Sequence, residues 1–187
     1  MRIKNNVELL DILDEDGNFT GEVRTRKEAH QLGLWHRTVH VWVNNSRGQL
    51  LIQQRAFDRE TSPGKWDISA AGHISAGRDS QSSALMEVNE ELGISLDPGE
   101  PEFLFTVKRP MRRVGDYNIQ DFNDVYLVKK DIEVAAITLQ EEEVAEILWI
   151  PFVRLEERVN ANDPTLVEHP EEYQKLFALL HERYDAQ

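Results

Sequence analysis

The chain has 187 residues, a length that suits one domain with a sizeable buried core. Its formal net charge of -13 would repel a nucleic-acid polymer, so we expect no such partner, although a small phosphorylated molecule held through metal remains compatible with it. Because cysteine is absent, disulfides, thiolate zinc sites and cysteine nucleophiles are excluded.

The N-terminal third predicts strands around one short helix. The chain opens without the long apolar core of a secretion signal, and no later run approaches the roughly 18 apolar residues of a membrane span. We therefore expect a cytoplasmic protein without a membrane partner. The pattern predicts a strand over Val7 to Leu13, a helix over Arg26 to Leu32, and a hairpin formed by 37–43 and 49–55.

The clearest helix is predicted from Asp79 to Leu92, after an extended segment over Trp66 to His73. Asp79 or Ser80 can cap its start, and Gly93 can end it. Further strands are predicted at Glu102 to Val107, Asn123 to Val128 and Glu146 to Ile150, with a terminal helix at Pro170 to Tyr184. Strands interrupted by isolated helices predict an α/β fold in which helices pack on the faces of a mixed sheet.

Three glutamates share one face of the central helix. Glu87, Glu90 and Glu91 stand at i, i+3 and i+4, while Leu85, Val88 and Leu92 are expected to form the buried stripe. Neighbouring carboxylates repel one another, and a hard cation such as Mg²⁺ or Mn²⁺ would relieve that repulsion. The alternative is a solvated acidic helix face.

The segment GHISAGRDSQSSALMEVNEELGI, from Gly72 to Ile94, resembles the Nudix box, G-x5-E-x7-R-E-U-x-E-E-x-G-U. The matching positions are Gly72, Glu87, Val88, Glu90, Glu91, Gly93 and Ile94. The resemblance continues through HRTVHVWV, LLIQQR, PGKWDIS and NDVYLV, and so covers roughly residues 5 to 180. It implies a single Nudix domain over residues 1–187, with the box at 72–94, folded as an α/β/α sandwich.

The resemblance also implies a metal-dependent hydrolase that cleaves a diphosphate linkage in a small molecule, either a nucleoside diphosphate derivative or an isoprenoid diphosphate. Glu90 and Glu91, with a backbone carbonyl just before Gly72, would bind Mg²⁺ or Mn²⁺. Glu87 would join this site and orient or deprotonate water. Glu143 precedes a strand where such hydrolases often place a further catalytic acid, its alternative being a charged turn. A homodimer is compatible with this assignment.

Two positions depart from the box. Arg78 replaces the first glutamate, and Met86 replaces the arginine that helps hold a helix glutamate in place. The loss predicts a looser site, weaker metal binding, or rescue by another cation. Arg78 could be that cation or a solvated residue near the helix start. A non-catalytic module that binds a diphosphate is therefore an alternative.

Several segments look like the Nudix branch that contains isopentenyl-diphosphate isomerase, and also like plant-type Nudix hydrolases. In the isomerases a cysteine that helps move the allylic proton directly precedes the Gly-His pair, and Ala71 occupies that position here. Alanine can neither donate nor accept a proton, so the comparison favours hydrolysis over an isomerase-like activity. The isomerase's catalytic glutamate falls on Asp124, and one of its metal-binding glutamates falls on Phe122.

Four residues are expected to contact substrate by this resemblance: Arg55, Arg59, His73 and Asp124. The alternative for Arg55 is pairing with a surface acid at the end of a strand. His30 and His36 could bind a second metal with His73, or be structural. A basic cluster predicted in a loop would either contact phosphates or be solvated; it comprises Lys108, Arg109, Arg112 and Arg113.

Overall fold

The computed structural model describes residues 7–184, so the two ends of the expected domain lie outside the described residues. Its strands are Leu9–Leu13 (β1), Phe19–Thr25 (β2), Trp35–Asn44 (β3), Gln49–Arg55 (β4), Trp66–Asp67 (β5), Ala70–His73 (β6), Glu102–Val114 (β7), Tyr117–Lys129 (β8) and Val144–Pro151 (β9). Its helices are Arg26–Leu32 (α1), Ser80–Leu92 (α2), Phe152–Asn160 (α3) and Pro170–Tyr184 (α4). None of these helices is long and apolar enough to cross a membrane.

The strands form one mixed sheet around β3. This strand pairs in parallel with β8 along its whole length and antiparallel with β6, while β8 continues into β7. The predicted hairpin between β3 and β4 exists, but it is paired only at Val43↔Leu51 and Asn44↔Leu50. Beyond these pairs the two strands separate, and β4 instead pairs along its length with β9. A cleft can therefore form between the two halves of the sheet.

Helices cover both faces of this sheet, which confirms the expected α/β/α sandwich. Because side chains alternate along a strand, successive β3 residues face opposite layers. Val39 and Val41 lie in an apolar cluster with Val88 of α2. Trp42, on the opposite face, lies in a second cluster with Leu176 of α4. Burial on both faces explains why β3 is apolar at its C-terminal end.

Helix α2 begins and ends where the sequence predicted. The Ser82 backbone N–H donates to the Asp79 side chain at 2.8 Å, and Gly93 ends the helix with a φ of 64°, in the left-handed region that favours glycine. The buried stripe differs by one position. Ala84 is fully buried, whereas Leu85 is only partly so, because the stripe faces β3 through positions 84, 88 and 92.

Three other features differ from the prediction. Strand β2 and helix α3 were not predicted; β2 is largely exposed and lacks apolar alternation. Strands β7 and β8 are longer than predicted and turn tightly at Gly115, where φ is 59°. The basic cluster expected in a loop therefore lies on β7, paired with β8. Its side chains are polar because much of this strand faces solvent or the cleft.

Candidate active site

A cleft of about 530 Å³ brings most of the expected site residues together. Its walls come from β3, β6, β7 and α2 and from the loop between β4 and β5. Six of the expected residues line it, namely Arg55, Arg59, His73, Glu87, Glu90 and Glu143. The cleft thus places carboxylates and guanidinium groups around one space, an arrangement that suits a metal and a phosphorylated ligand.

Glu87 lies against the backbone of Gly72. A Cβ added at Gly72 would be 2.1 Å from the Glu87 carboxyl carbon, so no other residue fits there without moving Glu87. Burial, and then the nearby carboxylates of Glu90, Glu143 and Glu8, raise the pKa of Glu87 to about 8. The sequence analysis did not identify Glu8, which precedes β1 and lines the same cleft.

The other two box glutamates occupy different environments. Glu91 is 3% exposed and accepts a hydrogen bond from Nε2 of Gln53 at 2.9 Å. Burial, followed by the charges of Glu87 and Glu143, raises the pKa of Glu91 well above its usual value. Glu90 is exposed and lines the cleft. Among the described residues, these three carboxylates do not form a group whose oxygens all lie within 4.8 Å of one another.

These glutamates fit a hard divalent cation chemically. Carboxylate oxygens are the ligands that Mg²⁺ and Mn²⁺ prefer. Burial is the largest cause of the raised pKa values of Glu87 and Glu91, and neighbouring carboxylates add to it; a bound cation would favour the ionised form of both groups. The donor set and the neighbouring carboxylates therefore agree with the metal expected from the box.

The two arginines expected at the phosphates are held differently. Nε of Arg55 donates to the Thr61 carbonyl at 3.0 Å, and Nη1 donates to Asp67 at 3.3 Å. Its acidic partner is thus a buried residue and not a surface one. Arg59 instead forms an ion pair with Glu143, with Nη1 and Oε2 2.9 Å apart. Glu143 therefore lies in a charged turn and also lines the cleft.

Three histidines meet near one end of the cleft. The ligand nitrogens of His30, His36 and His73 lie within 4.8 Å of one another, and Nε2 of His30 is 3.2 Å from Nε2 of His73. Burial lowers the pKa of His30 to about 4 and that of His73 well below its usual value. Nδ1 of His36 contacts the Leu34 carbonyl, while its buried Nε2 has no partner among the described residues. Neutral imidazoles with a free nitrogen fit the second-metal alternative.

Asp124, in contrast, does not line the cleft. It is buried on the opposite face of the sheet, where it accepts hydrogen bonds from Arg37 and Thr106, each at 2.7 Å. Asp121, three residues earlier on β8 and on the other face of the strand, pairs with Arg112 at 2.8 Å and lines the cleft. Strand alternation therefore places Asp121 at the cleft, whereas Asp124, which the resemblance had suggested as a substrate contact, faces the other layer.

The two departures from the box also have different surroundings. Met86 lines the cleft beside Glu87. Arg78 is exposed and is not among the residues that line the cleft within 7–184. The structure therefore does not make Arg78 the cation that replaces the missing box arginine.

A network of buried polar residues at the deep end of the cleft was missed by the sequence analysis. Nδ1 of His40 contacts Glu172 at 2.7 Å, and Nε2 of His169 contacts Asp67 at 2.8 Å. The imidazoles hold the pKa of Asp67 and of Glu172 below the usual range despite burial. The spacing of His36, Thr38 and His40 along β3 could have placed them on one face. The partner of His40, Glu172 on α4, could not be located without the fold.

Comparison with known proteins agrees with this geometry. The model of the NUDIX domain matches residues 34–169. The chain is 40% identical over 183 residues to Nudix hydrolase 3 of Arabidopsis thaliana, which covers 94% of this chain and 24% of that longer protein. It is 37% identical over 147 residues to an uncharacterized Nudix hydrolase of Listeria monocytogenes, which covers 78% of this chain and 81% of the relative.

A solved structure supports the same fold. The crystal structure of DR0079 from Deinococcus radiodurans is similar with a TM-score of 0.65 and 19% sequence identity, over 95% of this chain and 99% of that one. At this identity the likeness concerns the fold alone. Because the domain model covers more than half of the chain, and Gly72, Glu87 and Glu90 of the box line its cleft, the chain belongs to the Nudix family.

Proposed function

We propose that this chain hydrolyses a diphosphate linkage in a small molecule, with Mg²⁺ or Mn²⁺ held by Glu87, Glu90 and Glu91. Family membership supports diphosphate hydrolysis. The observation that carries the finer proposal is the carboxyl group of Glu87, held against Gly72 with a pKa of about 8 and surrounded by further acids. Such a group binds a cation when ionised and is poised to take a proton near neutral pH.

The residues around Glu87 suit the two requirements of this reaction, which are stabilisation of charge on the diphosphate and removal of a proton from water. A cation held by Glu87, Glu90 and Glu91 would supply positive charge against the negative charge that develops at phosphorus. Arg55, whose position is fixed by Asp67 and Thr61, offers positive charge to the diphosphate without reorganising. Glu87 takes the proton of the attacking water, and Glu143 is the second candidate for that role because it lines the same cleft.

A panel of diphosphates tests this proposal. Release of phosphate or monophosphate should be measured from ADP-ribose, nucleoside diphosphates and isopentenyl diphosphate, each with Mg²⁺ and with Mn²⁺. At least one substrate should be cleaved, with strict dependence on metal, and Glu87→Gln should lower the rate by about 100-fold or more. Glu142→Gln, at an exposed acid next to Glu143, is the matched control and should retain the rate. Metal-independent release, or an unchanged rate in Glu87→Gln, would contradict the proposal.

The alternative of a non-catalytic binding module rests on Met86 at the arginine position of the box. Such a module would bind a diphosphate and be stabilised by it in a thermal-shift experiment, yet release no product with either metal. Retention of Glu87, Glu90 and Glu91 favours the enzyme, because they supply both the expected metal ligands and a candidate base, and hydrolysis needs both.

A further inference from the structure

Arg59 and Glu143 neutralise each other in the cleft although each is expected to act on a different ligand. Nη1 of Arg59 lies 2.9 Å from Oε2 of Glu143, and the two side chains are 26% and 32% exposed. Glu143 is also close enough to Glu87 and Glu91 to raise the pKa of both. The guanidinium of Arg59 therefore stands beside the same group of acids that a divalent cation would occupy.

The other cations that line the cleft are engaged elsewhere. Arg55 is held by Asp67 and Thr61, and Arg112 makes two hydrogen bonds to Asp121. Met86, at the position where the box has arginine, contributes no charge. Arg26 and Arg109 also line the cleft, but they pair with Glu8 at 3.4 Å and with Asp121 at 3.9 Å. Among the cleft arginines of the described residues, Arg59 is the one paired with Glu143, and it reaches that acid from a loop.

The geometry of that loop allows the side chain to move without the backbone. The Arg59 backbone N–H donates to the Ala56 carbonyl at 3.3 Å, and the Ala56 N–H donates to the Glu143 carbonyl at 2.9 Å. The side chain of Arg55 further ties the loop through the Thr61 carbonyl. With the backbone held at both sides, a rotamer change of the partly exposed side chain is the motion that would separate its guanidinium from Glu143 within the cleft.

We propose that Arg59 is an exchangeable counter-ion, which neutralises Glu143 in the metal-free protein, is displaced when a divalent cation binds the glutamates, and then binds the diphosphate. This inference rests on the proposed function, since it assumes that metal and diphosphate share the cleft. A divalent cation on Glu87 and Glu91, the acids that interact with Glu143, would repel the nearby guanidinium of Arg59, so metal binding and the ion pair compete. Once released, a guanidinium with a free fork of donors suits a phosphate group.

The competition predicts opposite effects of one substitution on two ligands. In Arg59→Gln, the affinity for Mn²⁺ alone, measured by calorimetry, should rise about three- to tenfold because the competing cation is gone. The affinity for methylene diphosphonate, a diphosphate analogue that is not hydrolysed, should fall at least about tenfold in saturating Mn²⁺. Arg55→Gln is the matched control. It also removes one positive charge from the cleft wall, but Arg55 is paired with Asp67 and not with Glu143, so the Mn²⁺ affinity should stay within about twofold of the natural value.

Two outcomes of the Mn²⁺ titrations would overturn the proposed exchange. An unchanged or weaker Mn²⁺ affinity in Arg59→Gln would overturn the exchange, because it would mean that Arg59 does not compete with metal. An equal rise in Arg55→Gln would also overturn it, because the effect would then be a general one of net charge. Neither measurement needs turnover. If the natural protein cleaves no diphosphate, the proposed hydrolysis fails, while the Mn²⁺ titrations still support or refute the exchange.

Discussion

Gly72 and Glu87 are in contact across the gap between β6 and α2, with the Glu87 carboxyl 2.1 Å from the place that a Gly72 side chain would take. Gly72→Ala must therefore displace the carboxyl, and we expect hydrolysis to fall by about 100-fold or more because the candidate base leaves its position. The φ angle at Gly72 is not in the left-handed region, so backbone strain does not account for the loss. Steady-state kinetics on the best diphosphate of the panel would measure it.

The control for this substitution is Gly99→Ala. No atom lies within 4 Å of the Cβ that it would add, and its φ is also outside the left-handed region. It should retain the natural rate and the natural Tm. If Gly72→Ala kept full activity with metal saturating, Glu87 would not need its observed position, and its role as base would be refuted.

Glu87 should make the stability of the metal-free protein depend on pH. Its folded pKa of about 8 exceeds the usual value of 4.5, so the folded state holds the proton more tightly than the unfolded state. The free energy of unfolding therefore falls as pH rises from about 4.5 through 8. Glu87→Gln removes this cost, and should be more stable than the natural protein at pH 8.5 by on the order of a few kcal/mol.

Urea unfolding in a chelating buffer at pH 5 and pH 8.5 would measure this difference. At pH 5 both proteins carry a neutral group at position 87, so their free energies of unfolding should agree to within about 1 kcal/mol. Saturating Mn²⁺ should raise the free energy of unfolding of the natural protein at pH 8.5 by more than that of the variant. If the stability difference between the two proteins does not change with pH, Glu87 does not have the raised pKa that its burial implies.

The sequence predicted the parts of the site that are local in the chain. The box spacing located Glu87, Glu90 and Glu91 on one helix, and the caps at Asp79 and Gly93 defined that helix almost to the residue. It could not resolve that Glu91 is buried while Glu90 is exposed, because this depends on how α2 tilts on the sheet.

The sequence could not predict contacts between distant segments, because these contacts also depend on how the elements pack together. The pairing of β3 with β8 decides that Asp121 faces the cleft and Asp124 does not, and a shift of one residue would exchange them. The same holds for His40, whose partner Glu172 is 132 residues away. The ion pair between Arg59 and Glu143 likewise joins a loop and a turn that only the pairing of β4 with β9 brings together.

Ala71 predicts that the protein does not isomerise isopentenyl diphosphate. Its methyl group cannot transfer a proton, and it lies on β6 directly across from His40 of β3. Incubation with isopentenyl diphosphate and Mg²⁺ should give isopentenyl phosphate or no reaction, as followed by phosphorus NMR. Dimethylallyl diphosphate formed at an enzymatic rate would refute this, and loss of that product in His40→Phe would then identify the proton-transfer group.

Restoring the box residue at position 86 should raise the rate of hydrolysis more than restoring it at position 78. Met86 lines the cleft beside Glu87, so Met86→Arg places a guanidinium where it can hold a glutamate, and should raise kcat/KM by about tenfold, or about 1.4 kcal/mol of transition-state stabilisation. Arg78 is exposed and does not line the cleft, so Arg78→Glu alone should change the rate by less than about twofold. The two single variants and the double variant would be compared on one substrate with Mn²⁺ saturating.

This comparison also separates a slow enzyme from a binding module. In a slow enzyme the ligands and the candidate base are present but loosely held, so a better-held glutamate raises a rate that is already measurable. In a binding module there is no rate to raise, and Met86→Arg would change only the affinity for metal or diphosphate. No turnover in the natural protein and none in the double variant, despite ligand-induced stabilisation of both, would therefore decide for the module, because the restored box would then hold every glutamate that hydrolysis needs.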